Sequence, residues 1–206
     1  MREIKHLVGA IIVRTIWIIK GRPKPPALME MVWPESKLNE RPTLSLSSGF
    51  RLRQYRPDDN MAHNKLLDVA GLSSFSPEYW EKHILPNGFF IIEEINSGKI
   101  VATCMASHHP TPRHPRAGNF GWLAADPQYK GKNLGYSVAA AVTSRLLAGG
   151  YSRIFLETHD FRLPAIKIYL KMGWVPLLYN KEMEDRWKKI CDKLNFPFEP
   201  EKWPNK

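Results

Sequence analysis

The chain has few cysteines and no long apolar run, and each absence excludes a class of protein. Two cysteines, Cys104 and Cys191, cannot form the dense disulfide framework that holds small secreted domains together. A reducing, cytoplasmic environment is therefore expected. No uninterrupted apolar run reaches the roughly 18–20 residues of a bilayer-spanning helix. The sequence predicts a cytoplasmic protein without a transmembrane helix.

Two common nucleotide-binding patterns and a metal-binding pattern are also missing. Gly131-Lys132 is not followed by Ser or Thr at the place that a Walker loop requires, and the dinucleotide-binding pattern GxGxxG does not occur. Three histidines fall in one loop, but no carboxylate or cysteine completes a recognisable ligand spacing with His108, His109 and His114. We therefore expect no metal site.

Positive charge exceeds negative charge, and half of the excess lies near the start of the chain. The 206 residues include 30 Lys and Arg against 20 Asp and Glu, which gives a net charge of +10. Residues 1–25 carry six of those cations and a single acid, Glu3. This balance favours an anionic partner. The rest of the chain lacks the interleaved aromatic and basic residues of an RNA-binding sheet, so nucleic acid is not the partner that we expect.

An apolar stretch from Leu7 to Ile19 follows this basic start and contains Arg14. The charge within it and the missing small-residue cleavage pattern argue against a secretory signal peptide. The stretch within residues 1–25 is compatible with a helix on a membrane surface or a partner. The favoured alternatives are a helix packed on the protein itself or a poorly ordered extension. Five prolines then predict that residues 21–48 form a linker-like wrap without regular structure.

Alternating and helical periodicities predict regular structure from residue 49 onward. Strands are expected at 50–55, 88–95, 100–107, 119–124, 152–158 and 173–179. Helices are expected up to about Ala70, from Ser76-Pro77-Glu78, up to about Ala148, over Pro164–Met172 and, with an amphipathic pattern, at the C-terminus. This order predicts an α/β (α+β) fold, a mixed, mostly antiparallel twisted sheet with helices on both faces. The expected division is an N-terminal extension (1–48), a main domain (49–180) and a C-terminal helix and tail (181–206).

The segment from Asp126 to Gly135 is a turn-rich loop that leads directly into a helix. The first N–H groups of a helix have no partner inside it and lie at the positive end of its dipole. Gly131 and Gly135 allow another backbone or a ligand to approach closely, and Asn133 tolerates a left-handed conformation. Lysines 130 and 132 add positive charge. The loop is therefore a candidate anion site.

Two stretches resemble one known family. Lys130-Gly-Lys-Asn-Leu-Gly135 is similar to the pyrophosphate-binding motif of the GNAT superfamily of acyl-CoA-dependent N-acyltransferases, with Lys in place of Arg or Gln and Asn in place of the first Gly. Ala165-Ile-Lys-Ile-Tyr169-Leu-Lys-Met-Gly173-Trp174 resembles the late helix and following strand of the same family. The order of elements agrees over about residues 49–180.

The resemblance implies an N-acetyltransferase that uses acetyl-CoA as co-substrate and transfers its acetyl group by direct attack of a primary amine. The acceptor would be a small molecule or amino-acid-like compound, and the protein a monomer or homodimer. Tyr169 would protonate the departing thiolate. The residues implied to bind the cofactor are Leu123, Ala124, Ala125, Lys130, Gly131, Lys132, Asn133, Leu134, Gly135 and Tyr136.

The general base is left open by the sequence, because the strand before the loop (118–122) carries no glutamate where many GNAT members have one. Glu157 and His159, at the end of a later strand, are the catalytic candidates, and Glu93, Glu94, His108 and His109 remain alternatives. Cys104 lies in mid-strand between small apolar residues, which favours a buried packing role over a nucleophile. The missing strand glutamate also leaves a second possibility, a non-catalytic acyl-CoA-binding or partner-recognition module.

Overall fold

A computed structural model describes residues 26–72 and 81–205. The apolar stretch before residue 26 and the helix predicted to begin at Ser76 lie outside these residues. The described strands are β1 (Met29–Val32), β2 (Phe50–Gln54), β3 (Ile84–Glu94), β4 (Ile100–Ser107), β5 (Gly118–Ala125), β6 (Ile154–Thr158) and β7 (Val175–Pro176). The described α-helices are α1 (Asn60–Val69), α2 (Leu134–Ala148), α3 (Leu163–Met172) and α4 (Lys181–Leu194).

The seven strands form one mixed sheet in the order β2-β3-β4-β5-β6-β1-β7. Only β5 and β6 pair in parallel, and the other neighbours are antiparallel. The predicted hairpin is present, because β3 and β4 pair around a turn that contains Gly98 with φ of 69°. The mixed, mostly antiparallel sheet predicted from the sequence is therefore confirmed.

Helices cover both faces of this sheet. On one face, here called the α2 face, α2 and α3 pack on Cys104, Phe120 and Leu156 in the main core. On the opposite face, the α1 face, Leu66 and Leu67 of α1 pack in a smaller core on β3 and β4. The amphipathic C-terminal helix α4 joins the main core through Met183, Trp187 and Ile190. Among the described helices, none combines the length and apolarity needed to cross a bilayer.

The expectation that residues 21–48 have no regular structure is wrong. Residues 29–32 form β1, which lies between β6 and β7 and is buried along its whole length. Met29 and Met31 enter the main core, while Val32 packs in a separate cluster with Phe155. This alternation is the period-two pattern of a strand, but only four residues carry it before Pro34.

The final strand is shorter than predicted, with only Val175 and Pro176 paired to β1. Pro176 has no N–H, so it cannot extend a hydrogen-bonded ladder. The amide of Leu177 still donates to the carbonyl of Glu30 on β1, but the amide of Leu178 donates to the carbonyl of Pro204, outside the sheet. The chain therefore leaves the sheet soon after Trp174.

Candidate active site

Strands β5 and β6 are joined only at their beginnings. Their parallel pairing covers Gly118–Phe120 against Ile154–Leu156, although β5 continues to Ala125 and β6 to Thr158. Among the described residues, no strand pairs with 121–125 on the side that faces β6. We call the opening between residues 121–125 and 157–158 the strand gap. Backbone groups along such a free strand edge are available to a ligand.

A bulge in β5 reshapes the edge of the strand gap. The register with β4 shifts between Met105↔Gly121 and Thr103↔Ala124, so that Cys104 faces two residues, Trp122 and Leu123. Trp122 has a left-handed backbone, with φ of 58°, which is rare for a bulky residue. Bulges of this kind re-aim the backbone and are common beside active sites. The predicted cofactor residues Leu123, Ala124 and Ala125 follow immediately after it.

The loop from Asp126 to Gly135, here called the α2 loop, has the conformation predicted for it. Gly131 has φ of 87° and Asn133 has φ of 59°, and α2 begins at the next residue, Leu134. No side chain caps this helix, and no acidic residue lies in its first turn. The N–H groups of the first turn thus keep their capacity to bind an anion.

Neighbouring residues hold the α2 loop in place. The Ser47 hydroxyl donates to the carbonyl of Lys132 across 2.9 Å, and the Ser137 hydroxyl donates to the carbonyls of Asn133 and Ser45. At the start of the loop, the Asp126 carboxylate accepts from the amide of Gln128 and pairs with Lys99 at 2.8 Å. The segment that leads into β2 therefore supports the loop, a contribution that the sequence did not reveal.

Gly135 is favoured by close packing, since its φ is not positive. A Cβ at this position would lie 2.9 Å from Cδ1 of Ile168 on α3 and 3.7 Å from Cβ of Ala125. The glycine thus lets α2 approach α3 and the end of β5 closely. At Gly131, a Cβ would meet nothing within 4 Å, so the space beside the α2 loop is open. Lys130, Lys132 and Asn133 are exposed around it, and Tyr136 is half-buried.

Tyr169 lies on the α2 face, where β5 and β6 begin to separate. Its ring packs edge-on against Phe120, the last paired residue of β5, with ring centroids 5.4 Å apart. Burial raises the pKa of the Tyr169 phenol, and the nearby thiol of Cys104 raises it further, while Arg162 opposes them. The phenol is therefore fully protonated at neutral pH. Helical side chains lean toward the helix N-terminus, so the hydroxyl is directed toward the carboxyl ends of the strands.

Glu157 lies on the other face of the same opening. Ile154 and Leu156 belong to the main core, whereas Phe155 packs in the cluster with Val32 and Ala117. Because side chains alternate along a strand, Glu157 shares the face of Phe155. Burial by surrounding atoms raises the pKa of the Glu157 carboxyl, and the Glu30 carboxylate adds to this effect. Its side chain nevertheless remains exposed to solvent.

His159 lies one residue beyond β6, at the rim of the strand gap. Its ring stacks on Phe161 with centroids 5.1 Å apart, and Phe161 is itself 71% exposed. Burial lowers the pKa of His159, and the positive charge of Arg162 lowers it further. The imidazole is therefore neutral at physiological pH and able to accept a proton.

The four other base candidates lie away from the strand gap or are occupied. Glu93 forms ion pairs with Arg51 and Arg53 on β2, at the far side of the sheet. Glu94 accepts from the hydroxyls of Ser97 and Tyr129. His109 packs on His83, and His108 stacks on Tyr151, both after the end of β4. Since β4 runs antiparallel to β5, this is the opposite end of the sheet.

Cys104 is fully buried in β4, and its thiol donates to the carbonyl of Gly121 at 3.2 Å. Burial raises the pKa of this thiol well above its usual range, so it is a poor nucleophile. The packing role predicted for it is consistent with this environment. Among the described residues, no three potential metal ligands converge.

The sequence did not reveal a buried glutamate on β1. Glu30 is 7% exposed and lies directly opposite Glu157 in the β1–β6 register. Its carboxylate oxygens accept from Nε of Arg113 at 3.1 Å and from Nε2 of His114 at 2.9 Å. The alternation of Met29, Glu30, Met31 and Val32 is the signal that could have placed it on a strand.

Comparisons with known proteins agree with this geometry. The family model of the acetyltransferase (GNAT) family matches residues 55–174, which is more than half of the chain. No curated protein matches. A GCN5-related N-acetyltransferase from Sphaerobacter thermophilus superposes with a TM-score of 0.59 at 17% identity, over 72% of this chain and 48% of that one.

Two further solved structures share the fold. A GNAT-family acetyltransferase from Novosphingobium aromaticivorans gives a TM-score of 0.53 at 17% identity, over 75% of this chain and 67% of that one. A GCN5-related N-acetyltransferase from Kribbella flavida gives 0.52 at 18% identity, over 73% and 55%. The chain therefore spans only about half the length of two of these three proteins. By its family match and its fold, the chain belongs to the GNAT family of acetyltransferases.

Proposed function

We propose that the protein transfers the acetyl group of acetyl-CoA to a primary amine of a small-molecule or amino-acid-like acceptor, by direct attack and without a covalent enzyme intermediate. The observation that carries this function is the strand gap, which has a protonated phenol on one face and a carboxylate of raised pKa on the other. The uncapped N-terminus of α2 lies beside it. Donor and acceptor can thus reach one point from opposite faces.

The residues present fit acetyl-CoA. The first-turn N–H groups of α2 have no capping side chain, so residues 130–136, from the α2 loop into the first turn of α2, would bind the pyrophosphate through their backbone. Lys130 and Lys132 would add charge at its exposed rim. The free edge of β5 after the bulge, at Leu123, Ala124 and Ala125, would hydrogen-bond the pantetheine arm and the thioester carbonyl. Acetyl-CoA supplies an acetyl group activated as a thioester.

Tyr169 would act as the general acid. Its hydroxyl would give a proton to the sulfur as the carbon–sulfur bond breaks, which releases CoA as the free thiol. The high pKa of the phenol keeps that proton available at neutral pH. Cys104 takes no part as a nucleophile, because its thiol is buried and protonated.

Glu157 would act as the general base. Its carboxylate would take the proton that the amine nitrogen loses as the nitrogen–carbon bond forms. An exposed side chain on the α1 face allows an acceptor to reach it. A raised pKa makes the carboxylate a stronger base. His159, neutral and at the rim of the gap, is the alternative base.

A thermal unfolding assay with acetyl-CoA tests the donor. A ligand at 100 times its dissociation constant should stabilise the protein by about 2.7 kcal/mol. The Asn133→Val variant is the matched control, since a β-branched residue in the left-handed position disfavours the conformation of the α2 loop. No stabilisation of the unmodified protein at millimolar acetyl-CoA would exclude this donor.

Release of free CoA thiol over a panel of primary amines then tests the transfer. Turnover with at least one amine is expected, and mass spectrometry should find that amine heavier by one acetyl group. Binding of acetyl-CoA without turnover on any amine would instead favour the non-catalytic acyl-CoA-binding module. Longer acyl-CoA donors, run in parallel, show whether the strand gap is selective for acetyl.

A further inference from the structure

Two glutamates face each other across the β1–β6 pair. Glu30 and Glu157 are directly opposed in the antiparallel register, which places their Cβ atoms about 4.5–5.5 Å apart. From this position the Glu30 carboxylate disfavours the ionised form of Glu157. Glu30 lies on β1, outside the residues 55–174 that the family model covers. The pairing therefore joins Glu157, inside the matched residues, to a strand outside them.

The two glutamates have different surroundings. The side chain of Glu30 is buried, and both of its oxygens are taken, one by Arg113 and one by His114. Arg113 is further fixed over the ring of Tyr179, 3.9 Å from its centroid, and His114 is stacked on Phe155. Glu157 remains exposed and has no hydrogen bond to any of the described residues. Arg113 and His114, which face the pair, are thus both held by Glu30, its buried member.

We propose that Glu30 is a positioning residue for the acetyl transfer: it binds Arg113 and His114 so that neither side chain pairs with Glu157. This inference rests on the proposed function, in which Glu157 is the general base. A carboxylate paired with an arginine would be a weak base, because the cation holds it in the ionised form. By keeping Arg113 occupied, Glu30 preserves the proton affinity of its neighbour.

Among the residues that the structure describes, four charged or titratable groups face Glu157 from the elements around it. Glu30 comes from β1, Arg113 and His114 come from the loop before β5, and Tyr179 follows β7. Burial is the largest cause of the raised pKa of Glu157, followed by Glu30, whereas His114 and Arg113 act in the opposite direction. Removing Glu30 alone should therefore lower the pKa of Glu157 in two ways, by loss of the neighbouring carboxylate and by release of Arg113 and His114.

NMR titration of the side-chain carboxyl carbons, on the full chain labelled at glutamate, measures this directly. The Glu157→Gln variant identifies the resonance of Glu157. In Glu30→Gln, the pKa of Glu157 should fall by at least about half a unit. The matched control is Glu35→Gln, an exposed glutamate just after β1, which should leave that pKa unchanged. An unchanged pKa in Glu30→Gln overturns the proposal.

A second variant protects the test against misfolding of Glu30→Gln. The side chain of Arg113 is 42% exposed, so Arg113→Gln should be tolerated. It removes a cation, and the pKa of Glu157 should therefore rise, opposite to the effect of Glu30→Gln. A shift in the same direction in both variants, or no shift in either, would contradict the charge arrangement.

The pH profile of CoA release with an accepted amine links this pKa to catalysis. The acidic limb of the profile should move to lower pH in Glu30→Gln by the same amount as the NMR midpoint. If Glu157→Gln retains full turnover, Glu157 is not the base and the proposed mechanism fails. If Glu157→Gln abolishes turnover but the limb does not move in Glu30→Gln, only the role of Glu30 fails.

Discussion

The α2 loop and the strand gap lie side by side, but the sequence encodes them in different ways. The α2 loop is a continuous segment. Its two left-handed residues, Gly131 and Asn133, lie within three residues of Leu134, where the helix α2 begins. The strand gap combines residues from β1, β5, β6 and α3, which are distant in the chain. Glu30 and His114, for example, are 84 residues apart. A site formed by the backbone of one continuous segment can be predicted from that segment's sequence, whereas a site formed by side chains from distant segments depends on the whole fold.

The largest expected effect concerns the side-chain site. Tyr169→Phe should lower turnover by about 10²–10⁴-fold, the usual contribution of a positioned acid. The affinity for acetyl-CoA should stay nearly the same, since the α2 loop does not involve Tyr169. Among the described residues, the phenol hydroxyl has no hydrogen-bond partner, so the variant should lose less than about 1 kcal/mol of stability. Initial rates of CoA release and urea unfolding measure both quantities.

Retention of more than half of the turnover would make Tyr169 a packing residue. Another group, or water, would then protonate the thiolate. The control is Tyr136→Phe, which removes the hydroxyl of a half-buried tyrosine in the first turn of α2. It should leave the rate of transfer unchanged at saturating acetyl-CoA.

The next effect concerns the backbone site. Asn133→Val places a β-branched side chain at φ of 59°, and the left-handed conformation costs roughly 1–2 kcal/mol for such residues. The dissociation constant for acetyl-CoA should rise by about 5–30-fold, with turnover at saturation largely kept. Asn133→Gly is the matched control, because glycine adopts this conformation freely. In isothermal titration, the unmodified protein and Asn133→Gly should bind acetyl-CoA with similar affinity, and Asn133→Val should bind it much more weakly. Equal affinities in all three would show that the loop conformation does not control binding.

How much the sequence could predict follows the same division. The α2 loop, α3 with Tyr169, and the β3–β4 hairpin were all predicted, because their signals lie within a few residues of one another. Strand β1 was missed because only residues 29–32 carry its alternation, between proline-rich flanks, and its partner β6 lies more than a hundred residues later. Glu157 was named as a candidate base, but its partner Glu30 could not be found without the register of β1.

A smaller effect is expected from Ser47, which shows whether residues outside the α2 loop help to stabilise its conformation. The Ser47 hydroxyl donates to the carbonyl of Lys132 from a segment 85 residues earlier. Ser47→Ala removes a bond worth about 0.5–1.5 kcal/mol, which corresponds to a two- to tenfold weaker affinity for acetyl-CoA if the bond stabilises the binding conformation. Ser48→Ala, next to it in the chain, is the control. If the affinity of Ser47→Ala for acetyl-CoA is unchanged, the α2 loop keeps its binding conformation without the hydrogen bond from Ser47.

The smallest effect concerns stability and carries a definite sign. A carboxyl whose pKa is raised by folding favours the protonated form, so its contribution to stability is full at low pH and is lost as pH rises through the folded pKa. Glu157 is such a group, and glutamine mimics its neutral form. At pH 7, Glu157→Gln should therefore be more stable than the unmodified protein by about 0.2–1 kcal/mol, the range for a cross-strand pair, with solvent exposure favouring the lower end. Below about pH 4 the difference should vanish.

Urea unfolding at several pH values measures this difference in stability, with Glu35→Gln as the control that should show no pH-dependent difference. A loss of stability at pH 7 would mean that Arg113 or His114 also binds the carboxylate of Glu157, contrary to the arrangement proposed here.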